Sequence, residues 1–371
     1  MKILILSCST GGGHNSAAQA VRDLLHMRGV ETEMFDPIQL KSKKAKNIVS
    51  DLYNNIIKNT PKLFGAIYKV GAIYEATPFP SPVYYANSVY AKELNDYIVE
   101  NKFDGVICSH LYCMEAMTAI RKKLNPDIPC YGIITDYTLI PFTSDTKLDG
   151  YFIPHEELRK EAIKKGLPKD GIYAYGIPVN QKFNERIPKI QAREALGLPK
   201  DKKILLLMFG SVGCGKIIKV CNNIVKDLNE DCVAYVIVGN NEKLKETLDK
   251  KFEGKRIRTV AYTEDVNVYM NAADVLISKA GGLSSTEAAV ANIPLVHLKS
   301  IPGCETKNAR FFASKGMSLA TKKPKAAVSF AKELIYDEAR AQRMCAAQKK
   351  IINANATRDI VDTIMQKIAR E

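Results

Sequence analysis

Histidine is the side chain that carries protons near neutral pH, and one of the five in this chain, His14, directly follows three glycines in GGGHNSAA (11–18). An apolar run precedes those glycines and helix-favouring residues follow, so Gly12, Gly13 and His14 fall where a strand hands over to a helix. A histidine that merely caps that helix is the plainer reading. A second stretch, SKAGGLSSTEAA (278–289), turns on Gly281 and Gly282 and opens a helix through Leu283, Ser284 and Ser285. Ser284 as N-cap with Glu287 three residues on has the spacing of a capping box, which alone would account for both residues. The chemical reading is that glycines let a pyrophosphate approach the backbone and the helix start neutralises it, while Glu287 accepts hydrogen bonds from ribose hydroxyls. In KSIPGCETKNARFF (299–312), Glu305 and Asn308 share one helical face, a carboxylate and an amide suited to sugar hydroxyls, or simply an acidic helix start. FGSVGCGK (209–216), with Ser211 and Gly213, is built like a phosphate loop but lacks the Walker A ending.

These residues need a scaffold, and the hydrophobic pattern supplies one. KILILS (2–7), Val30–Phe35, DGVIC (104–108), CYGIIT (130–135) and GYFI (150–153) read as buried strands, with a helix over Asn15–Met27 and further helical segments between the strands. After the polar stretch 189–203 the pattern restarts with ILLLMF (204–209), Ala234–Val238, Ile257–Ala261, Val275–Ser278 and Pro294–Leu298. Two doubly wound α/β domains in tandem are expected. Residues 36–90 form a long insertion with eight aromatics and the turn-rich TPFPSP (77–82), read as helix packed on the domain or as a surface for a membrane interface.

At 371 residues the chain exceeds one ordinary core, and 46% apolar with 25% charged residues is the composition of a globular protein. No stretch has the length of a membrane span or the features of a secretion signal, and nine scattered cysteines without a CxxC pair argue against a disulfide framework or zinc site. A cytoplasmic home is expected. The net charge of +14 is uneven: residues 1–189 carry 24 basic and 20 acidic side chains, whereas residues 310–371 carry 13 and 6. Such an excess favours an anionic partner, either a phosphorylated ligand or an acidic membrane surface, unless it only solvates the surface. With no tryptophan and no KH, RRM or zinc-finger pattern, nucleic acid is not expected.

Taken in order, GGGH, AGGLSSTEAA and PGCETKN resemble the processive lipid glycosyltransferases, the diacylglycerol glucosyltransferases and monogalactosyldiacylglycerol synthases, over residues 1 to about 320. The resemblance implies the GT-B fold, two Rossmann-like doubly wound domains facing across a cleft. Residues 1–186 are the acceptor and membrane side, residues 187–353 bind the UDP-sugar, and the helix at 354–371 returns to the first domain. The implied reaction is inverting transfer of a hexose, glucose being the expected one, from a UDP-sugar to the hydroxyl of 1,2-diacylglycerol on the inner face of a bacterial membrane.

On this resemblance Gly12, Gly13 and His110 lie on the acceptor side and His14 is the general base, a role that a helix start favours by disfavouring the imidazolium. Asp136, in ITDYTLIPF (134–142), would orient His14 or bind the acceptor, or only cap a turn. Tyr262 is placed at uracil, Gly281, Gly282, Leu283, Ser284 and Ser285 at the pyrophosphate, and Glu287 at ribose. Cys304, Glu305 and Asn308 fall at the sugar, with Ser211 and Gly213 near sugar or phosphate. His155 reads as a helix cap; His26 and His297 read as structural. Many relatives have PGQE where this chain has PGCE, and a thiol lacks the two-ended hydrogen bonding of an amide. There is no DxD motif, so no cofactor or metal is expected and the helix start must stabilise the UDP leaving group. Two other readings are UDP-N-acetylglucosamine transfer to a polyprenyl-pyrophosphate-linked acceptor and a non-catalytic UDP-sugar sensor.

Overall fold

The structure is a computed structural model that describes residues 1–8, 12–40, 71, 74, 79–209, 217–298 and 303–369. It divides into two compact units: one takes the described residues up to Asn180 with those from Asn355 onward, the other those from Gln181 to Ala354.

The first unit is built on β1 (Lys2–Leu6), β2 (Glu31–Phe35), β3 (Gly105–Cys108), β4 (Cys130–Ile133), β5 (Gly150–Phe152) and β6 (Ile172–Tyr173). All pair in parallel, in the order β2-β1-β3-β4-β5-β6. Strands β1, β3, β4 and β5 are almost wholly buried, as expected of parallel strands covered on both faces. The order reverses beside β1, so the ends of β1 and β3 border the crevice where doubly wound sheets bind ligands. The first helix runs over Gly12–Met27, three residues longer at its start than its periodicity suggests, and buries Ala17, Ala18, Val21, Leu24 and Leu25. The last helix, Ala356–Ile368, buries Ile360, Val361 and Ile364 in the same apolar cluster as Ile3, Ile5, Val21 and Leu25. It packs so closely that a Cβ on Gly105 would meet Ile368 Cδ1 at 2.5 Å.

The second unit repeats the plan with β7 (Lys203–Met208), β8 (Cys232–Gly239), β9 (Ile257–Ala261), β10 (Val275–Ser278), β11 (Leu295–Leu298) and β12 (Leu319–Thr321). These too are parallel, in the order β12-β11-β10-β7-β8-β9. Here the reversal falls between β7 and β10, so the glycine turns after these two strands open at the equivalent crevice. The strands β6 and β12 had no counterpart in the sequence reading. With two and three residues at sheet edges, they are too short to show a period.

Most of the aromatic insertion lies outside the described residues. In its described part, Ser81 caps helix Pro82–Ser88 by accepting the Tyr84 N–H at 2.9 Å. Glu115, wholly buried in helix Leu111–Lys123, accepts from Asn87 Nδ2 at 2.9 Å and Ser81 Oγ at 3.3 Å and so fastens that helix. Burial pushes the Glu115 carboxyl up to about 8. Phe79, Tyr85 and Val89 are exposed beside it. Among the described residues no helix is long and apolar enough to cross a membrane.

Candidate active site

In the first unit the chemistry gathers at the ends of β1, β3 and β4. His14 stands in the first turn of helix Gly12–Met27, and its Nδ1 lies 3.0 Å from the Ser109 carbonyl oxygen. A carbonyl only accepts, so Nδ1 carries the hydrogen and Nε2 keeps its lone pair. The Thr135 hydroxyl, 2.8 Å from the same nitrogen, shares that hydrogen. Sequence reasoning offered Asp136 to orient His14, to bind the acceptor or to cap a turn. At Nδ1 of His14 stand Thr135, the residue before Asp136, and the backbone of Ser109, and Asp136 lines the same pocket as His14, Leu111, Met114 and Ile133. The pocket leaves about 20 Å³, room for one water.

His110 lies beside His14 at the end of β3. It is buried as the N-cap of helix Leu111–Lys123, where its Nδ1 accepts the Tyr112 N–H at 3.2 Å. Its ring meets that of His14 edge to face with centroids 4.6 Å apart. Burial, with the charge of His14 as second cause, holds the His110 imidazole well below the usual histidine range, so it stays neutral. Gly12 and Gly13 form the first turn, and Gly12 is exposed. His155 caps the turn Glu156–Leu158 by accepting the Glu157 N–H, and His297 is buried between Ser285 Oγ at 2.9 Å and Ser318 Oγ at 3.1 Å.

In the second unit, helix Gly282–Val290 begins earlier than the sequence suggests. Its N-cap is Gly281, not Ser284, so the capping box does not form and Glu287 lies in the second turn. Gly281 is extended (φ −72°, ψ 143°) and brings no side-chain acceptor, which leaves the first amides to meet a ligand. Among the described residues, a Cβ on Gly281 would meet Lys279 Nζ and Ser284 Oγ at 3.8 Å and Lys279 Cε at 4.0 Å, all ordinary contacts with flexible side chains. Ser284 and Glu287 are half-buried and Leu283 is buried. The Ser285 hydroxyl is spent on His297 and cannot reach a ligand. Burial pushes the Glu287 carboxyl up to about 7, opposed by the charge of Lys182. Tyr262, after β9, is 63% exposed and offers an open aromatic face.

The sugar-reading residues are placed differently from expectation. Helix Cys304–Ser314 follows Gly303, whose φ of +106° only glycine adopts readily, and Cys304 is half-buried at its start. Glu305 and Asn308 share a face as expected, but both are buried. Asn308 donates its amide to the Ala280 carbonyl at 3.0 Å and pins the turn before Gly281, and Glu305 pairs with Lys279 at 2.9 Å. The buried Asn308 thus holds the turn that carries Gly281. Sequence reasoning missed Lys279, although it stands inside the quoted SKAGG. Ser211 and Gly213 lie outside the described residues. Among the described residues no three His, Cys, Asp or Glu side chains gather as a metal site.

Comparison with known proteins matches residues 14–179 to the model of monogalactosyldiacylglycerol (MGDG) synthase and residues 204–364 to the glycosyltransferase family 28 C-terminal domain. The processive diacylglycerol beta-glucosyltransferase of Bacillus licheniformis is 26% identical over 98% of this chain and 94% of its own. That of Bacillus subtilis is 26% identical over 99% and 95%. Among solved structures, Acinetobacter baumannii MurG superposes with a TM-score of 0.62 at 17% identity, covering 98% of this chain and 99% of its own. The complex of S. aureus MnaA with UDP gives 0.66 at 16%, covering 99% and 97%. These likenesses show the GT-B fold.

Proposed function

Since the chain belongs to the MGDG synthase family of glycosyltransferases, with a family 28 C-terminal domain, we propose that it transfers a hexose, glucose first among the candidates, from a UDP-sugar to the hydroxyl of 1,2-diacylglycerol. The observation that carries this reading is the contact of His14 Nδ1 with the Ser109 carbonyl, 3.0 Å away. With Nδ1–H committed to the Ser109 carbonyl, Nε2 is a base in the first turn of a helix. It takes the proton of the acceptor hydroxyl as that oxygen attacks the anomeric carbon. The bond from that carbon to the diphosphate breaks, and UDP leaves with the electron pair. One displacement inverts the centre, so an α-linked donor gives a β-glycolipid. The imidazolium formed is steadied by the Ser109 carbonyl and the Thr135 hydroxyl.

The donor's diphosphate is assigned to the first amides of helix Gly282–Val290, ribose to Glu287 and uracil to Tyr262, with no metal or cofactor. The basic C-terminal region and the exposed Phe79, Tyr85 and Val89 support working at an anionic membrane surface, on its cytoplasmic face.

The test is incubation with labelled UDP-glucose, UDP-galactose or UDP-N-acetylglucosamine, each with diacylglycerol vesicles. Labelled glycolipid from one donor is expected. Silence on diacylglycerol with product on a polyprenyl-pyrophosphate acceptor overturns the acceptor assignment. UDP binding with no turnover on either overturns the catalytic one.

A further inference from the structure

Two consecutive residues close on His14. Ser109 presents its carbonyl to Nδ1 at 3.0 Å, and His110 sets its ring against the His14 ring, edge to face, with centroids 4.6 Å apart and planes at 76°. His110 is itself held twice. As N-cap of helix Leu111–Lys123, with an extended backbone (φ −133°, ψ 144°), it accepts the Tyr112 N–H at Nδ1 over 3.2 Å. The Tyr112 ring also meets it edge to face, centroids again 4.6 Å apart. A nitrogen that accepts an amide keeps its lone pair, so the hydrogen of the neutral ring is assigned to Nε2. Serine, threonine, asparagine or aspartate would satisfy that amide as well. What they would not supply is the flat, buried ring that stands against His14.

We propose that His110 is a positioning residue for the base, its capped ring a wall that keeps the His14 imidazole seated on the Ser109 carbonyl and screens it from water. The inference rests on the assignment of His14 as base. The Ser109 carbonyl and the Thr135 hydroxyl both act at Nδ1. The His110 ring adds contact with the imidazole itself, which fixes its tilt and so the direction of Nε2. A base displaced by about 1 Å loses on the order of 10²-fold in rate. The titratable groups around the pair are Tyr112, on the helix that His110 caps, and Asp136, which lines the His14 pocket after β4. A helix start disfavours a cation at His110, and burial acts the same way. The imidazolium formed at His14 therefore meets no like charge from this neighbour.

The test sets His110→Asn, which keeps the cap and loses the ring, against His110→Phe, which keeps a ring and loses the cap. His110→Asn is expected to fold as wild type and to lower kcat about 10-fold or more, with KM for the UDP-sugar unchanged. The acidic limb of its pH–rate profile is expected to move to higher pH, because water now reaches the imidazolium. His110→Phe is expected to melt lower, the Tyr112 amide having lost its acceptor, yet to keep kcat within about 3-fold and the acidic limb in place. In a His14→Ala background His110→Asn should cost no further rate. If neither variant folds, nitrogen NMR of the wild-type histidines decides: His110 is expected as the Nε2–H tautomer, gaining no proton between about pH 5 and 8. Wild-type rate in His110→Asn, a lowered rate with an unmoved profile, or a slower His110→Phe than His110→Asn overturns the proposal, as does a His110 that titrates in that range. Full turnover by His14→Ala overturns instead the assignment of the base beneath it.

Discussion

The Thr135 hydroxyl lies 2.8 Å from Nδ1 of His14, the nitrogen that also faces the Ser109 carbonyl at 3.0 Å. A neutral carbonyl and a hydroxyl thus do what a carboxylate does in many base-orienter pairs. His14→Ala is expected to lower kcat by about 10²- to 10⁴-fold with donor affinity unchanged. Turnover within a few fold of wild type would refute the assignment of the base.

Thr135→Val keeps the shape and removes the hydroxyl. A fall in kcat of about 3- to 30-fold is expected, with the acidic limb of the pH–rate profile moved to lower pH because the imidazolium loses one acceptor. A loss of rate with an unmoved pH profile would mean that Thr135 only packs.

Glu287 should make donor binding pH-dependent. Its carboxyl is pushed up to about 7 by burial, so the acceptor-only form that suits a ribose diol predominates above that value. Donor affinity is expected to rise as pH increases from 6 to 8 and to level in Glu287→Gln. Stability runs the other way. A carboxyl raised in the folded state favours folding below its ordinary value of 4.5, and that contribution is lost as pH climbs to about 7. Melting temperature against pH, compared between wild type and Glu287→Gln, measures it. A parallel response in the two proteins would count against this.

Gly281→Ala separates fold from binding. Among the described residues the added methyl meets side-chain atoms at 3.8–4.0 Å, at an ordinary φ of −72°, so stability should change by less than about 1 kcal/mol. UDP affinity should fall about 10-fold or more, because the methyl occupies the approach to the first amides. Equal binding by the variant would place the diphosphate elsewhere.

The central strands were legible because parallel strands buried on both faces are runs of apolar residues, as KILIL and KILLLM are. The glycine turns were legible as ligand-facing because a loop that closes a strand onto a helix announces itself locally. What sequence could not show was pairing at a distance. His14 meets Ser109 and Thr135 from 95 and 121 residues away, and Lys279 meets Glu305 across 26. Ser284 misled because serine is a strong N-cap signal, whereas the helix starts on glycines whose backbone needs no such help. The bond of Asn308 to the Ala280 carbonyl was likewise invisible, because an amide near a ligand turn gives no local sign of holding that turn.

The return of helix Ala356–Ile368 to the first unit has a consequence for how the chain is made. Ile360, Val361 and Ile364 complete an apolar cluster begun by Ile3 and Ile5, so the unit begun by residues 1–180 is finished only by residues beyond Asn355. During synthesis at roughly 5–20 residues per second, that cluster stays uncovered while the whole second unit emerges, and the later unit is free to mature first. The unit born first is therefore the last to be completed, and the nascent chain must shelter one sheet face until residues 356–368 have emerged. A stop placed before Asn355 should strand the first unit in an aggregation-prone state while sparing the second, a difference that limited proteolysis would resolve.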